Sequence, residues 1–315
     1  MIGKTNAATI IGSGGSTAVL REYTSSATWN KPTGLKWAFV VCLGAGGGGG
    51  SGRRGAANSY RCGGAGGAGG QRVRRFIKGS QLGGSESIVI GSGGAGGIAI
   101  ATDNTSGKNG SAGGDTSFGA LVVAKGSNIN ASGGGTVTSS NGGSVFNISL
   151  AIPPNNNYAE VSQNGFSGSV GDAVDNSSSI INISAPLSGA GGGGITSANA
   201  VGKGGRYYSY KNINNATTLP PIGGQLSGDS GGNGINNEIM QIIIEYSETI
   251  LTKGAGSGGG GGASGDAAGT IAGGNGGNGG LYGAGGGGGG GSTNGANSGA
   301  GGDGAGGLCI VIEIY

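Results

Sequence analysis

The sequence predicts an all-β protein: a β-sandwich-like framework of N- and C-terminal strands, with packed polyglycine II helices and long variable loops inserted. Three observations lead to this prediction. Gly accounts for 85 of 315 residues, short apolar or alternating runs occur near both chain ends, and convincing helical patterns are lacking, so little or no α-helix is expected. We predict one glycine-rich domain over residues 17–315, after an N-terminal segment, 1–16, available for attachment or oligomer contact.

The strand candidates follow the chain from its start to its end. They are residues 17–25, 36–44, 71–79, 86–91, 117–126 and 308–315. The loop SQLGGS predicts a hairpin between 71–79 and 86–91. The last strand needs a partner and is expected to pair with early strands. Segment 238–253 fits strand or helix, and its β-branched residues favour strand.

The glycine tracts, of which 254–307 is the longest, carry non-glycine residues at every third position. Examples are Ala65 and Ala68; Ser92, Ala95 and Ile98; Lys203 and Arg206; Asn275, Asn278, Leu281 and Ala284; and Ala300 and Asp303. A polyproline II helix has three residues per turn and no internal hydrogen bonds, so its buried backbone groups must pair with neighbouring helices. The period therefore favours packed glycine helices, each with its non-glycine residue pointing outward. The alternative is a flexible Gly/Ser linker.

Composition excludes catalytic sites that depend on His, whereas a carboxylate pair of the glycosidase type can be far apart in sequence and leaves no spacing signal. The chain has no His, and its three cysteines, Cys42, Cys62 and Cys309, are not in a C-x-x-C pattern. Ser-His-Asp triads and His-ligated metal sites are therefore excluded, and structural zinc is disfavoured. We expect no enzyme activity, no cofactor and no metal site. No run approaches the roughly 18 apolar residues of a membrane-spanning helix.

Charge is distributed unevenly. Residues 1–80 carry eleven Lys or Arg and one acidic residue, Glu22. Such asymmetry can mark a surface that meets a polyanion, such as lipopolysaccharide phosphate, or a neighbouring subunit, but a solvated basic face is the favoured interpretation. Nucleic-acid binding is disfavoured, because the rest of the chain is acidic and RGG repeats are absent.

Two segments, 127–188 and 206–253, differ from the glycine tracts: the first is rich in Asn and Ser, and the second opens with a cluster of Tyr. Tyr offers large, rigid contact area at low entropic cost, while Ser, Gly and Asn offer adaptable hydrogen bonding. An equally open alternative is that these rings pack on glycine helices and stabilise their own loops. The candidate receptor-binding residues are Tyr207, Tyr208 and Tyr210, flanked by Arg206 and Lys211, together with Tyr158, Phe166 and Tyr60.

The opening YTSSATWNKPTGLKWAFVVCLGAGGGGG, residues 23–50, resembles the start of the glycine-rich domain common in bacteriophage tail-fibre and receptor-binding proteins. Similar stretches are VIGSGGAGG at 89–97, TSFGALVVAKG at 116–126, GAGGGG at 189–194 and the closing GAGGDGAGGLCIVIEIY. The resemblance covers most of the chain outside 127–188 and 206–253.

In the fibre-tip adhesins of T-even phages, polyglycine II helices carry variable loops that choose the receptor. The resemblance therefore implies a non-enzymatic adhesin of the virion tail-fibre tip, whose loops at 127–188 and 206–237 recognise a bacterial outer-membrane protein or surface glycan. Its other partners would be fibre or virion proteins. The chain would act either as a homo-oligomer, such as a trimer, or as a subunit bound to another fibre protein. Those adhesins have a substantial N-terminal domain that attaches them to the fibre, whereas only a short segment precedes the first predicted strand here. The resemblance therefore does not indicate how this protein is attached.

Two other functions compete with this one. The first is a structural virion protein, such as a head fibre or capsid decoration, without a receptor. The second is a silk-like structural protein, which the non-repeating loops disfavour, since structural repeats are regular.

Overall fold

The computed structural model describes residues 6–11, 17–128, 130–144, 157–160, 164–173, 186, 188–206, 210–211, 217–218, 223–236, 240–245, 248–252 and 255–315. Strands are the regular elements of these residues, together with one 3₁₀ turn, Gly79–Gln81, and no α-helix occurs in the part described. The prediction of an all-β fold is therefore confirmed.

The strands lie in several antiparallel sheets and one short parallel pair. In chain order they are β1 (Asn6–Ile11), β2 (Thr17–Tyr23), β3 (Ala27–Asn30), β4 (Trp37–Leu43), β5 (Arg54–Gly55), β6 (Arg72–Lys78), β7 (Ser85–Val89), β8 (Thr116–Phe118), β9 (Val122–Ala124), β10 (Ser139–Ser140), β11 (Asn157–Glu160), β12 (Gly168–Ser169), β13 (Tyr210–Lys211), β14 (Thr217–Thr218), β15 (Met240–Glu245), β16 (Glu248–Thr252), β17 (Ser292–Thr293) and β18 (Leu308–Ile314).

The framework is a six-stranded sheet in the order β1-β2-β18-β4-β6-β11. The C-terminal strand β18 lies between β2 and β4 and is antiparallel to both, so the expected pairing with early strands is confirmed. Its alternating residues serve two cores: Cys309 and Val311 face one side, and Ile310 and Ile312 face the other. A strand covered on both faces is consistent with its nearly continuous apolar sequence.

A four-stranded sheet, β3-β7-β8-β9, packs on one face of the six-stranded sheet. Trp29, Ile88 and Phe118 from this sheet enclose a core with Val40 and Ile77 from the other. The predicted hairpin between 71–79 and 86–91 is wrong, because β6 pairs with β4 and β11 whereas β7 pairs with β3 and β8. The connection instead crosses between sheets, which lets both segments bury an Ile in the same core.

Two other strand predictions need refinement. Segment 117–126 forms two short strands, β8 and β9, because the chain turns at Gly119, whose φ of +52° favours glycine. Within segment 238–253, β15 and β16 pair antiparallel, so the preference for strand over helix is confirmed for these residues.

Between the strands, glycine-rich tracts pack side by side into what we call the glycine lattice. Tract 44–54, which follows β4, donates its backbone N–H groups to three neighbouring tracts in rotation. The bonds run from Ala45 to Gly114, Gly46 to Ala305, Gly47 to Ala68, Gly48 to Ser111, Gly49 to Gly302 and Gly50 to Ala65. This three-residue rotation is the pattern of packed polyglycine II helices.

The carbonyl groups of tract 44–54 accept from three further tracts, so that six tracts surround it. Gly94 donates to Gly46, Ser127 to Ala45 and Gly286 to Gly47. The glycine tracts are therefore hydrogen-bonded elements of the fold rather than the flexible linker considered above.

Close backbone approach explains why these positions are Gly. A Cβ built on Gly49 would lie far inside van der Waals contact of the Gly287 carbonyl, and one on Gly46 would meet the Ala284 carbonyl in the same way. Because the obstructing atoms are backbone, no side-chain rearrangement relieves the contact.

The expected outward direction of the non-glycine residues holds only at the lattice surface. Asn275, Asn278 and Ala95 are exposed. By contrast, Ala65, Ala68 and Ala284 are fully buried, so the expectation is wrong for them. Tract 61–71, which holds Ala65 and Ala68, is surrounded by other tracts, and a methyl group is accommodated there at every third position.

Exposed polar side chains at these positions form what we call the asparagine ladder. Each accepts a hydrogen bond from a backbone N–H group of the adjacent tract. The bonds are Asn275 N to Ser230 Oγ (3.3 Å), Asn278 N to Asn233 Oδ1 (2.9 Å), Leu281 N to Asn236 Oδ1 (2.8 Å), Ala300 N to Asn275 Oδ1 (2.9 Å), Asp303 N to Asn278 Oδ1 (2.8 Å) and Gly96 N to Asp303 Oδ1 (2.8 Å). The ladder satisfies surface N–H groups that the lattice itself leaves unpaired.

Candidate binding surface

The tract directions gather a set of loops at one end of the lattice. Tracts 44–54, 91–100 and 283–292 run away from the framework sheets, and 61–71 and 298–307 return to them. The loops between outgoing and returning tracts therefore lie at the end farthest from the sheets, which we call the distal face. Its described loops are 55–60, 101–104, 136–138, 171–173, 196–200, 225–229, 266–272 and 293–297.

Asparagine side chains join four of these loops. Asn58 and Asn199 are paired, because the Asn58 N–H donates to Asn199 Oδ1 (3.0 Å) and Asn199 Nδ2 donates to Asn58 Oδ1 (2.7 Å). Asn104 and Asn294 are paired in the same reciprocal way, with both distances 3.1 Å. Residues 58, 104 and 199 have φ near +60°, a region that Asn tolerates better than most residues.

A second group of loops meets at Ser264, which is fully buried. Its N–H donates to the Gly202 carbonyl, its Oγ accepts from the Gly202 N–H (2.9 Å), and its carbonyl accepts from the Gly228 N–H. Loops 196–200, 225–229 and 266–272 are thereby held side by side.

Aliphatic side chains are exposed on the loops around Ser264. Leu226 is 73% exposed, Val201 46% and Ile271 43%. Ile271 packs directly beside Gly228, because a Cβ on that glycine would touch its Cγ2. The distal face therefore carries, besides the paired asparagines, three exposed aliphatic side chains, Val201, Leu226 and Ile271, which we call the aliphatic patch.

Buried arginines support the loops from below. Arg61 is fully buried and donates to Thr293 Oγ1 (2.7 Å), Asn199 Oδ1 (2.7 Å) and the Thr196 carbonyl (3.0 Å). Burial lowers the pKa of this guanidinium from its ordinary value, but Arg stays charged in proteins. The side chain thus ties two distal-face loops, 196–200 and 293–297, to the lattice without a carboxylate partner among these contacts.

Arg53 and Arg54 are also largely buried. Arg54 pairs with Asp103 at 2.6 Å and donates to the Ala101 carbonyl (2.6 Å), which holds loop 101–104. The favoured expectation of a solvated basic face in residues 1–80 is therefore wrong for Arg53, Arg54 and Arg61. Their buried side chains lie beneath the distal-face loops and support them.

The candidate residues from the sequence lie in separate regions. Tyr60 is on the distal face and is 39% exposed. Phe166 is half-buried inside the lattice, where its N–H donates to the Gly189 carbonyl. Tyr158 is in β11, opposite Arg74 of the six-stranded sheet.

The remaining candidates lie around segment 206–222. Arg206 ends a returning tract and is half-buried. Tyr210 and Lys211 form β13, which pairs with Thr218 and Thr217 of β14. Tyr207 and Tyr208 lie outside the described residues, so their role stays a prediction.

Sequence reasoning missed the asparagine pairs and the aliphatic patch. A signal was present: each distal loop is a short interruption between two glycine tracts, such as AANSY at 56–60 or TSANA at 196–200. The sequence-based prediction concentrated on the longest loops and on Tyr residues, and it therefore missed these short segments. A tract that leaves the sheets and one that returns must be joined at the far end, so short interruptions mark this face.

No protein-family model matches the chain, and none of the curated proteins does. Within the part of the chain that the structure describes, no helix has both the length and the apolar character needed to cross a membrane.

Proposed function

We propose that this protein is a non-enzymatic bacteriophage adhesin of a tail-fibre tip, and that its distal face contacts a bacterial surface receptor. The receptor would be an outer-membrane protein or a surface glycan. The sheet end of the molecule would face the rest of the fibre, with this chain acting as a homo-oligomer, such as a trimer, or as a fibre-bound subunit.

The observation that carries the proposal is the reciprocal pairing of Asn58 with Asn199 and of Asn104 with Asn294. These pairs fix exposed loops in one arrangement, on a lattice whose backbone is itself hydrogen-bonded. Loops ordered before binding lose less conformational entropy on binding, so more of the contact energy appears as affinity. Exposed Leu226, Ile271 and Val201 add apolar area that a partner would cover.

The test is binding of purified, fluorescently labelled protein to a panel of bacterial strains and envelope mutants. We expect strain-specific binding that is lost when one surface component is removed. Leu226→Asn on the distal face should weaken binding at least severalfold. Leu281→Asn is the matched control, because Leu281 is also exposed (41%) but lies at the sheet end of the lattice.

A triple Tyr207→Ala, Tyr208→Ala, Tyr210→Ala variant separates the two candidate surfaces. Loss of binding in this variant, with Leu226→Asn unaffected, would move the contact from the distal face to segment 206–222. Folded protein that binds no strain, and does not block phage adsorption, would favour the structural virion role instead.

A further inference from the structure

Cys42 and Cys309 lie directly opposite each other on the adjacent strands β4 and β18. Their Sγ atoms are 3.8 Å apart, and both thiols are free and fully buried. The third cysteine, Cys62, belongs to tract 61–71 of the glycine lattice and is also a free thiol. The chain therefore has one facing pair of sulfur atoms and one separate thiol.

Backbone bonding shows which kind of cross-strand pair this is. The Gly44 N–H, just beyond β4, donates to the Gln71 carbonyl on the β6 side, and the Tyr315 N–H, just beyond β18, donates to the Thr17 carbonyl on the β2 side. Even-numbered residues of β4 therefore bond toward β6, and odd-numbered residues of β18 bond toward β2. In an antiparallel strand, alternate residues bond to opposite neighbours, so Cys42 bonds toward β6 and is non-hydrogen-bonded toward β18.

Non-hydrogen-bonded pairs are the closer of the two antiparallel types. Their Cα atoms are about 4.5 Å apart, within the range of about 4.4–6.8 Å over which disulfides form. The two sulfur atoms need only side-chain rotation to reach bonding distance, with no change of strand register.

We propose that Cys42 and Cys309 form a cross-strand disulfide when the protein leaves a reducing environment. The oxidant is a small disulfide such as glutathione disulfide. The thiolate of one cysteine attacks it, forming a mixed disulfide and releasing one glutathione. The thiolate of the second cysteine then attacks the mixed disulfide, which gives the Cys42–Cys309 bond and releases the second glutathione; each protein thiol gives up one proton.

Burial of the two thiols determines when the thiol–disulfide exchange can take place. The hydrogen bond with Cys42, together with burial, raises the pKa of the Cys309 thiol above its ordinary value, so little attacking thiolate is present in the closed sheet. Exchange therefore requires β18 to separate transiently from β4. Once closed, the same burial shields the disulfide from reduction.

The bond would join strands from the two ends of the chain, 267 positions apart in sequence. Cross-links that close long loops restrict the unfolded chain most strongly. The oxidised protein should therefore resist thermal unfolding better than the reduced protein. This inference goes beyond the proposed adhesin role, and it is testable on purified protein without any receptor.

The experiment incubates the full-length protein with glutathione disulfide over a range of ratios to glutathione, at a temperature a few degrees below its Tm. Samples are denatured in N-ethylmaleimide and analysed by mass spectrometry. We expect loss of two thiol hydrogens from the intact mass, a single maleimide adduct at Cys62, and a linked peptide pair containing Cys42 and Cys309. Oxidation should raise Tm, and a phosphine reductant applied close to that Tm, where β18 opens, should reverse the rise.

Three maleimide adducts at every ratio would overturn the proposal, as would a linked pair that includes Cys62. The Cys62→Ala variant, with only the facing pair left, should oxidise like the wild type. The Cys309→Ala variant should show no intramolecular bond, and its Tm should not respond to oxidant.

Discussion

Trp29 donates its indole N–H to Oε1 of Glu313 at 2.8 Å, and this bond connects the two sheets of the framework. Trp29 is on β3 of the four-stranded sheet, whereas Glu313 is fully buried on β18 of the six-stranded sheet. Arg21 pairs with the same oxygen at 2.5 Å, and Tyr315 Oη donates to Oε2 at 3.1 Å. A buried carboxylate is tolerated here because three donors satisfy it.

Trp29→Phe should destabilise the protein by about 1–3 kcal/mol, because it removes one donor from a buried acceptor. The substitution keeps an aromatic ring against Phe118, whose centroid is 5.3 Å away, so the lost hydrogen bond dominates. Chemical denaturation with fluorescence or circular dichroism measures the change. Trp37→Phe is the control, because Trp37 is 38% exposed and should change stability little. Equal effects of the two substitutions would contradict the role given to Glu313.

Gly49→Ala should prevent normal folding or destabilise the protein strongly. The added methyl group would meet the Gly287 carbonyl, and overpacking costs about 1–3 kcal/mol even where neighbours can adjust. Gly84→Ala is the matched control, because a Cβ there meets nothing within 4 Å. That change should be neutral or stabilising by up to about 1 kcal/mol through the unfolded state. Similar yields and Tm values for the two variants would show that the lattice is looser than described.

Removing two members of the asparagine ladder, by Asn275→Ala with Asn278→Ala, should free the N–H groups of Ala300 and Asp303. Each lost bond should cost about 0.5–1.5 kcal/mol, and hydrogen exchange at these two amides should accelerate. Freed surface N–H groups also offer pairing sites to other chains, as at exposed sheet edges, so sedimentation should detect more self-association.

Ser92→Ala is the control for the ladder, because Ser92 is exposed at a period-three position and its side chain bonds to no described residue. Unchanged exchange at Ala300 and Asp303 in the double variant would show that Asn275 and Asn278 do not protect these amides.

The strand framework and the three-residue glycine period were accessible from the sequence. Alternation in 308–314 and the apolar run of 37–43 specify buried strands, and the repeat at Asn275 and Asn278 marks lattice tracts at the surface. The pairing of the strands was harder to predict. The sequence around 79–81 indicates a turn, but it does not distinguish a chain that returns within one sheet from a chain that crosses to another sheet. Long-range burial decided that case, since Ile77 and Ile88 share one core.

The distal face was less predictable, because its contacts join residues far apart in the chain. Asn58 meets Asn199 across 141 positions, and Asn104 meets Asn294 across 190. Each Asn alone is an ordinary loop residue. Only the stacking order of the tracts, which depends on every backbone bond in the lattice, brings them together.

The distal loop 266–272 should loosen in acid. Burial of the Asp266 carboxyl favours a higher pKa, but hydrogen bonds from Thr270 and Ile271 outweigh it and lower the pKa below the ordinary 3.8. A depressed pKa in the folded state means that the carboxylate stabilises the loop at neutral pH. This stabilisation is lost as the pH falls below 3.8 and then through the folded pKa.

NMR titration of the Asp266 carboxyl, with hydrogen exchange of the Thr270 and Ile271 amides, measures this effect. The wild type should show faster exchange once the carboxyl is protonated, whereas Asp266→Asn should exchange at a rate independent of pH after correction for intrinsic chemistry. Asp115→Asn is the control, because Asp115 pairs with Lys125 away from the distal face, and that variant should keep the wild-type acid response. An Asp266 carboxyl that titrates at or above its ordinary value would refute the loop role, because the hydrogen bonds would then not favour the charged form.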